Sequence, residues 1–281
     1  MRILPLPLLA ILLFTACQKQ IIKEHEPKAA EQTSGVAAKG GANKIDVCHR
    51  EGNGTSHTIT INANALKAHL AHGDVLGSCV PTVTIVPTVT ICNQVWMVNN
   101  LDVDHYRNGD PIPQVTDPTE WAALTTGAWC YYFNDPANGA TYGKLYNWYA
   151  VNDPRGLAPA GWHVPTLDEW ETLVSCLGGE FVAGGKLKEI GTTHWLDPNT
   201  GATNETGFTA LPGNIRQSTG EFSPSTSTPF LGVFGDWWTS TEIIFNSLLY
   251  ASHKFIVFNS SSVQNAADDK AYGLSVRCVR D

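Results

Sequence analysis

Gly161-Trp162-His163-Val164-Pro165-Thr166-Leu167-Asp168-Glu169-Trp170 is the stretch from which the fold is read. Thr166 followed three residues later by Glu169 forms a capping box, in which each side chain satisfies an orphan amide at a helix start. Leu167, Trp170, Leu173, Val174 and Leu177 then recur at helical spacing until Gly178-Gly179. The pattern predicts one amphipathic helix with a buried stripe. Outward from it, helix signals are scarce. Asp117-Pro118-Thr119-Glu120 supplies an N-cap, a proline at the first helical position and an acidic third residue ahead of Trp121 and Leu124. Elsewhere short alternating pieces are punctuated by turn clusters such as Asn134-Asp135-Pro136 and Asn152-Asp153-Pro154. The expectation is an irregular, loop-rich α+β domain with few helices.

That domain is expected over residues 81–281 and opens on a sixfold repeat. Pro81-Thr82-Val83-Thr84-Ile85-Val86 is followed by Pro87-Thr88-Val89-Thr90-Ile91-Cys92, each copy alternating Thr with branched apolar residues. The second copy, continuing into Asn93-Gln94-Val95-Trp96-Met97, reads as the first strand, and the first copy as linker or an extra edge strand. All nine Trp and all eight Tyr lie in this region, with ten basic and twenty acidic residues. Across all 281 residues, 43% are hydrophobic and 16% charged, which demands a core and excludes bulk disorder. The formal net charge of -8 excludes a nucleic-acid partner, because phosphates require a Lys/Arg-rich face.

The N-terminus reads as an address. Arg2, the apolar run from Ile3 to Phe14, and Thr15-Ala16 before Cys17 form a signal peptide over residues 1–16, too short to span a bilayer. Phe14-Thr15-Ala16-Cys17 resembles the bacterial lipoprotein lipobox, in which the Cys is lipidated and becomes the mature N-terminus; ordinary secretory cleavage is the alternative. Gln18 in place of an Asp points to the outer membrane, periplasmic or surface-exposed. Residues 17–46, rich in Lys, Glu, Gly and Ala without an aromatic, are expected to form a disordered tether behind that anchor.

Residues 47–80 make a small Cys/His module. Thr58-Ile59-Thr60-Ile61 alternates as a strand, Asn62 or Asn64 can cap, and Ala65–His72 reads as two helical turns closed by Gly73. His69 and His72 then share one helix face, and His57 and His49 could complete a set of four ligands for zinc, with Asp74 as a spare or supporting group. The bland alternative is that the His residues cap and hydrogen-bond without metal. Cys48 and Cys79 read as a disulfide stapling a module too short to hold itself by its core, with metal ligation as the alternative. Apart from zinc here, no cofactor is expected.

Residues 83 to the end carry a set of motifs: Trp96-Met97 before Asn99-Asn100-Leu101, Tyr106-Arg107-Asn108-Gly109-Asp110, and Tyr142-Gly143-Lys144-Leu145-Tyr146-Asn147-Trp148-Tyr149-Ala150-Val151. Gly161–Thr166 with Glu169-Trp170, Gly207-Phe208-Thr209-Ala210-Leu211-Pro212-Gly213, Trp237-Trp238-Thr239-Ser240-Thr241 and Ser275-Val276-Arg277-Cys278-Val279-Arg280-Asp281 complete it. Together they resemble the Fibrobacter succinogenes major paralogous domain. The start of the Thr166 helix and Arg277–Arg280 are also similar to the formylglycine-generating, sulfatase-modifying family. The resemblance implies a C-type-lectin-like fold whose chain ends return side by side. It also implies a bridge from the long helix to the last strand, Cys176 with Cys278, leaving Cys92 with Cys130.

The formylglycine generators use a close cysteine pair near the C-terminus, and here Cys278 stands alone, so the expected function is non-enzymatic. His163, His194 and His253 read as structural. The reading that results is a lipid-anchored cell-envelope binding or adhesion protein recognising a glycan or a surface protein. Trp195, Asp197, Asn199 and Asn204 form one candidate ligand group, and Asp236 with Trp238 another, since ring faces stack on sugars while Asn and Asp bind hydroxyls. Two alternatives stand beside it: a sulfatase-modifying-type enzyme with altered or lost chemistry, and metal binding by the His module.

Overall fold

A computed structural model describes residues 43–51, 56–79, 86–222 and 231–281. The expected signal peptide, Cys17, nearly all of the tether and most of the first repeat copy lie outside the described residues. The chain forms two compact units that divide after Val83.

In the first unit, β1 (Lys44–Arg50) pairs antiparallel with β2 (Ser56–Asn62), placing Cys48 opposite Thr58 and His49 opposite His57. In β1, Ile45 and Val47 alternate inward with Asp46 outward, so the strand begins within the stretch expected as tether. The Asn62 side chain accepts from the Asn64 amide to start a short 3-10 turn that leads into α1 (Leu66–Ala71). β3 (Val75–Leu76) then pairs with the free side of β1, giving the order β2-β1-β3. Val47 is the one fully buried apolar side chain among the described residues of this unit. Such a core cannot hold the unit, and the Cys48–Cys79 disulfide closes a separation of 31 residues. In the chain-entropy picture a loop of that length contributes about 3 to 4 kcal/mol.

The second unit is a loop-rich α+β assembly with small antiparallel sheets. β4 (Thr88–Ile91) and β5 (Gln94–Met97) form a hairpin, so the second repeat copy and its continuation are two strands where one was expected. The chain reverses at Cys92-Asn93, with Cys92 at φ 53°. β12 (Val279–Arg280) inserts between β5 and β8 (Trp162–His163), so the two ends of the unit share one sheet of order β4-β5-β12-β8. β9 (Phe234–Phe245), β10 (Leu248–Val257) and β11 (Gln264–Asp268) form a second sheet in the order β11-β10-β9. A short pair of β6 (Trp129–Cys130) and β7 (Leu145–Tyr146) completes the strand set.

The capping-box helix is α5 (Leu167–Cys176). Thr166 Oγ1 accepts from the Glu169 amide at 3.2 Å and Glu169 Oε2 accepts from the Thr166 amide at 2.7 Å. Its buried stripe, Trp170, Leu173 and Val174, packs on Trp96, Phe208 and Trp237; the Trp170 ring lies 4.9 Å from that of Trp96. α2 (Pro118–Ala122) is capped by Asp117 as expected. The Gly178-Gly179 pair does stop α5, at φ 99° and 95°, but the chain turns at once into α6 (Glu180–Leu187). Its Gly184-Gly185 weakens the helix signal. A Cβ at Gly184 would collide with the Ser262 carbonyl and one at Gly185 with the Gly201 carbonyl, so close backbone packing requires glycine there. Asn134-Asp135-Pro136 is likewise more than a turn. Asp135 Oδ1 accepts from the Ala137 amide at 2.9 Å and caps α3 (Pro136–Tyr142), with Pro136 at its first position. α4 (Trp148–Val151) is capped by Asn147, which also accepts from the Ala128 amide at 2.9 Å.

Three buried cations tie the irregular segments together. Arg277 donates to Asn100 Oδ1 through Nε and Nη2, at 3.0 and 2.7 Å, and to the Phe208 carbonyl through Nη1, its guanidinium lying 4.2 Å from the Phe208 ring centre. Arg216 donates to the carbonyls of Val115, Thr116 and Gly220 and lies over Trp121. Lys188 donates to the carbonyls of Val257, Phe258 and Ser260. Replacing Arg277 with Leu strands those acceptors without water, and is expected to destabilise the fold by about 2 to 4 kcal/mol. Urea unfolding of the variant against the parent chain checks this, and an unchanged midpoint contradicts it.

Candidate functional site

Of the four His residues of the small unit, the structure gathers His49, His69 and His72 around Asp74. β1 delivers His49, α1 delivers His69 at its last turn, and His72 follows as the C-cap before Gly73 turns the chain at φ 95°. Asp74 is buried, and its Oδ2 lies 2.8 Å from His49 Nδ1, 2.7 Å from His69 Nδ1 and 3.8 Å from His72 Nδ1, while Oδ1 accepts from the Arg50 amide at 2.9 Å. The hydrogen bonds from the His49 ring and the Arg50 amide, joined by His69 and opposed by burial, hold this carboxyl far below the usual carboxylate range. His57 sits across the strand pair, its ring centre 5.5 Å from that of His49, with its Nδ1 3.3 Å from Glu51 Oε1.

Asp74 is thus the hub of the cluster, a role larger than the spare or supporting group expected. Where a ring's Nδ1–H is donated to this carboxylate, its Nε2 is left to bind an ion, the arrangement by which carboxylates orient metal-binding imidazoles. One ligand atom each from His49, His72 and Asp74 falls within a span of 4.8 Å. That is somewhat wider than a tetrahedral site with bonds of about 2.0 to 2.2 Å, so the ligands must draw in around an ion.

In the large unit the expected ligand groups do not form recognition surfaces. Trp195 and Trp238 are buried, with their indole N–H groups donated to the carbonyls of Ala210 and Tyr146 at 2.8 Å each. Asn199 is buried and donates to the carbonyls of Glu189 and Gly191, and Asn204 is used up on Thr209. Asp236 is buried against His253, and Asp197 alone of the six is exposed. Asn and Asp beside Trp here saturate backbone groups of irregular loops, a use that composition does not distinguish from ligand binding.

The cysteine pairing of this unit also differs. Cys92 bonds Cys176, because the β4–β5 turn brings Cys92 to the C-terminal end of α5. Cys278 instead packs among Met97, Tyr146 and Leu274, and Cys130 among Val115, Trp121 and Tyr132, so the expected Cys176–Cys278 and Cys92–Cys130 bridges do not form. Burial pushes both free thiols up to about 12, against the opposing pull of Arg216 on Cys130 and of Arg107 and Arg277 on Cys278. The thiolate needed for redox chemistry is therefore scarce at neutral pH, and the sulfatase-modifying reading gains no support from either residue. In a Cys17→Ser chain, Ellman's reagent is expected to find no reactive thiol in the native protein and two after unfolding. Rapid native modification of Cys278 would reopen the enzyme reading.

His253 is buried in the β9–β11 sheet, its Nε2 2.8 Å from Asp268 Oδ2 and its Nδ1 3.4 Å from Asp236 Oδ1. Burial alone would lower its pKa, but the Asp236 and Asp268 carboxylates beside the ring outweigh burial and raise it to about 9. Folding therefore favours the imidazolium. Its contribution is complete below the unfolded value of about 6.5 and is lost as pH rises through about 9. Thermal melting should accordingly drop between pH 6.5 and 9, and His253→Asn should flatten that part of the profile.

Beside α4 lies an open pocket of about 280 Å³ lined by residues that include Thr125, Thr126, Trp148, Tyr149, Asn152 and Arg155. Arg155 is already paired with Asp153 and Asp110, and Lys270 at its rim with Glu242. The pocket was not anticipated. Tyr149 falls within a motif quoted above, but nothing in its spacing marks it as half-exposed.

The sequence model described as the Fibrobacter succinogenes major domain matches residues 89–280. No curated protein and no solved structure matches the chain.

Proposed function

The chain belongs to the Fibrobacter succinogenes major domain family, and from that premise we propose a lipid-anchored cell-envelope protein that binds a glycan or a surface protein. The lipobox-like Phe14–Cys17 segment supports the anchor, and the Cys48–Cys79 and Cys92–Cys176 disulfides suit an oxidising compartment. The pocket beside α4 carries the binding reading. Thr125, Thr126, Asn152 and Tyr149 are among its lining residues, while its cations are neutralised in place. That chemistry suits a neutral polar ligand, and the volume suits one sugar ring or one peptide side chain. The full mature chain is to be screened against glycans and envelope proteins. Tyr149→Ala and Asn152→Ala are each expected to weaken the ligand found about tenfold, a change of about 1.4 kcal/mol, without lowering the melting temperature. Binding that survives both variants places recognition elsewhere.

A second reading rests on the convergence of His49, His69 and His72 on Asp74: the small unit captures a divalent borderline metal such as zinc. Calorimetric titration of the purified chain with zinc should give one site per chain. His49→Ala and His72→Ala should abolish it, and Asp74→Asn should weaken it about 10 to 100-fold by freeing the rings. Absence of stoichiometric binding in the parent chain overturns this reading.

A further inference from the structure

The β9–β10 hairpin runs past the core and ends in a tip that nothing among the described residues covers. Ile244, Phe245, Leu248 and Leu249 are 73%, 64%, 59% and 53% exposed. The turn between the strands is Asn246-Ser247, with φ of 50° and 65°, the double left-handed geometry of a tight hairpin. The register pairs Phe245 with Leu248, Ile244 with Leu249 and Ile243 with Tyr250. Side chains alternate along a strand, so Phe245 and Leu248 project from one face and Ile244 and Leu249 from the other. No charged residue occurs from Ile243 to Ser252.

A hairpin that rests on a protein surface needs one apolar face and keeps the other polar. Here both faces are apolar, and the occupant must surround the tip. We propose that the β9–β10 tip inserts into the interface of a lipid bilayer, as a second membrane contact of a chain attached through Cys17. The proposal rests on the lipid-anchored reading, which puts a bilayer close at hand. Fully extended, the segment from Cys17 to Lys44 reaches about 90 Å at most, so an anchor at Cys17 keeps the chain in the neighbourhood of the membrane. A single weak insertion is marginal by itself and becomes effective when a covalent lipid holds it at high local concentration. The net charge of -8 disfavours anionic lipid and selects an uncharged bilayer surface.

The test uses the mature chain, residues 17–281, carrying Cys17→Ser, so that the tip acts without the anchor or the signal peptide, with phosphatidylcholine vesicles. An environment-sensitive fluorophore on Asn246→Cys, at the turn, is expected to shift to the blue on vesicle addition. Phe245→Asp on one face and Ile244→Asp on the other should each lower vesicle partitioning about tenfold or more. These sites are exposed, so melting temperatures should stay unchanged and folding failure is checked directly. Loss from only one face means that the tip lies flat on the bilayer rather than inserting, and overturns the proposal. So does an absence of blue shift, or a concentration-dependent dimer that Phe245→Asp dissolves. Acylation of Cys17, read by mass spectrometry of the N-terminal peptide from cells, tests the anchor separately, so failure of one claim does not mask failure of the other.

Discussion

Buried cations that donate to main-chain carbonyls hold the large unit together. Most of its backbone lies outside regular ladders, so its loops expose carbonyls that neither helix nor sheet partners reach. Arg216 gathers the carbonyls of Val115, Thr116 and Gly220, segments about a hundred residues apart in the chain, and Arg277 joins Asn100 to Phe208. Arg277 and Lys188 do this at a cost, since burial pulls Arg277 down to about 9 and Lys188 to about 8. Several acceptors apiece and an aromatic face offset that cost, Phe208 for Arg277 and Trp195 for Lys188.

The tryptophans extend the same logic. Trp121, Trp129, Trp148, Trp195 and Trp238 each bury a large ring and donate the indole N–H to a carbonyl, those of Ala271, Ile112, Thr239, Ala210 and Tyr146 respectively. One residue type thus supplies core volume and saturates loop backbone. The consequence for function is direct. Aromatic rings spent on the interior, such as those of Trp195 and Trp238, cannot stack on a ligand.

Legibility followed the range of the interaction that decides each feature. The Thr166–Glu169 box, the Asp117 cap and the alternation of β2 are local, and each sits where its sequence pattern places it. The Asp135 cap was equally local but its three residues also spell a turn, and only the continuation into Ala137–Tyr142 separates the two. α6 was hidden because Gly184-Gly185 serves a contact with Ser262 and Gly201, which no local window contains. The hub role of Asp74 was hidden for a related reason: it depends on β1 and the end of α1 meeting across the small unit.

By itself, the sequence determined the α+β class, the two longest-signalled helix starts, the pairing of Cys48 with Cys79 as a staple, and membership of the family through motifs spread over the large unit. Those rest on spacing, composition and short-range capping, which the chain carries without folding. Tertiary structure alone decided that Cys92 takes Cys176, that Cys130 and Cys278 remain buried thiols, and that Trp195 and Trp238 face inward. Each of those outcomes is a choice among partners far apart in the chain, and only the packed core, by bringing some together and excluding others, makes it.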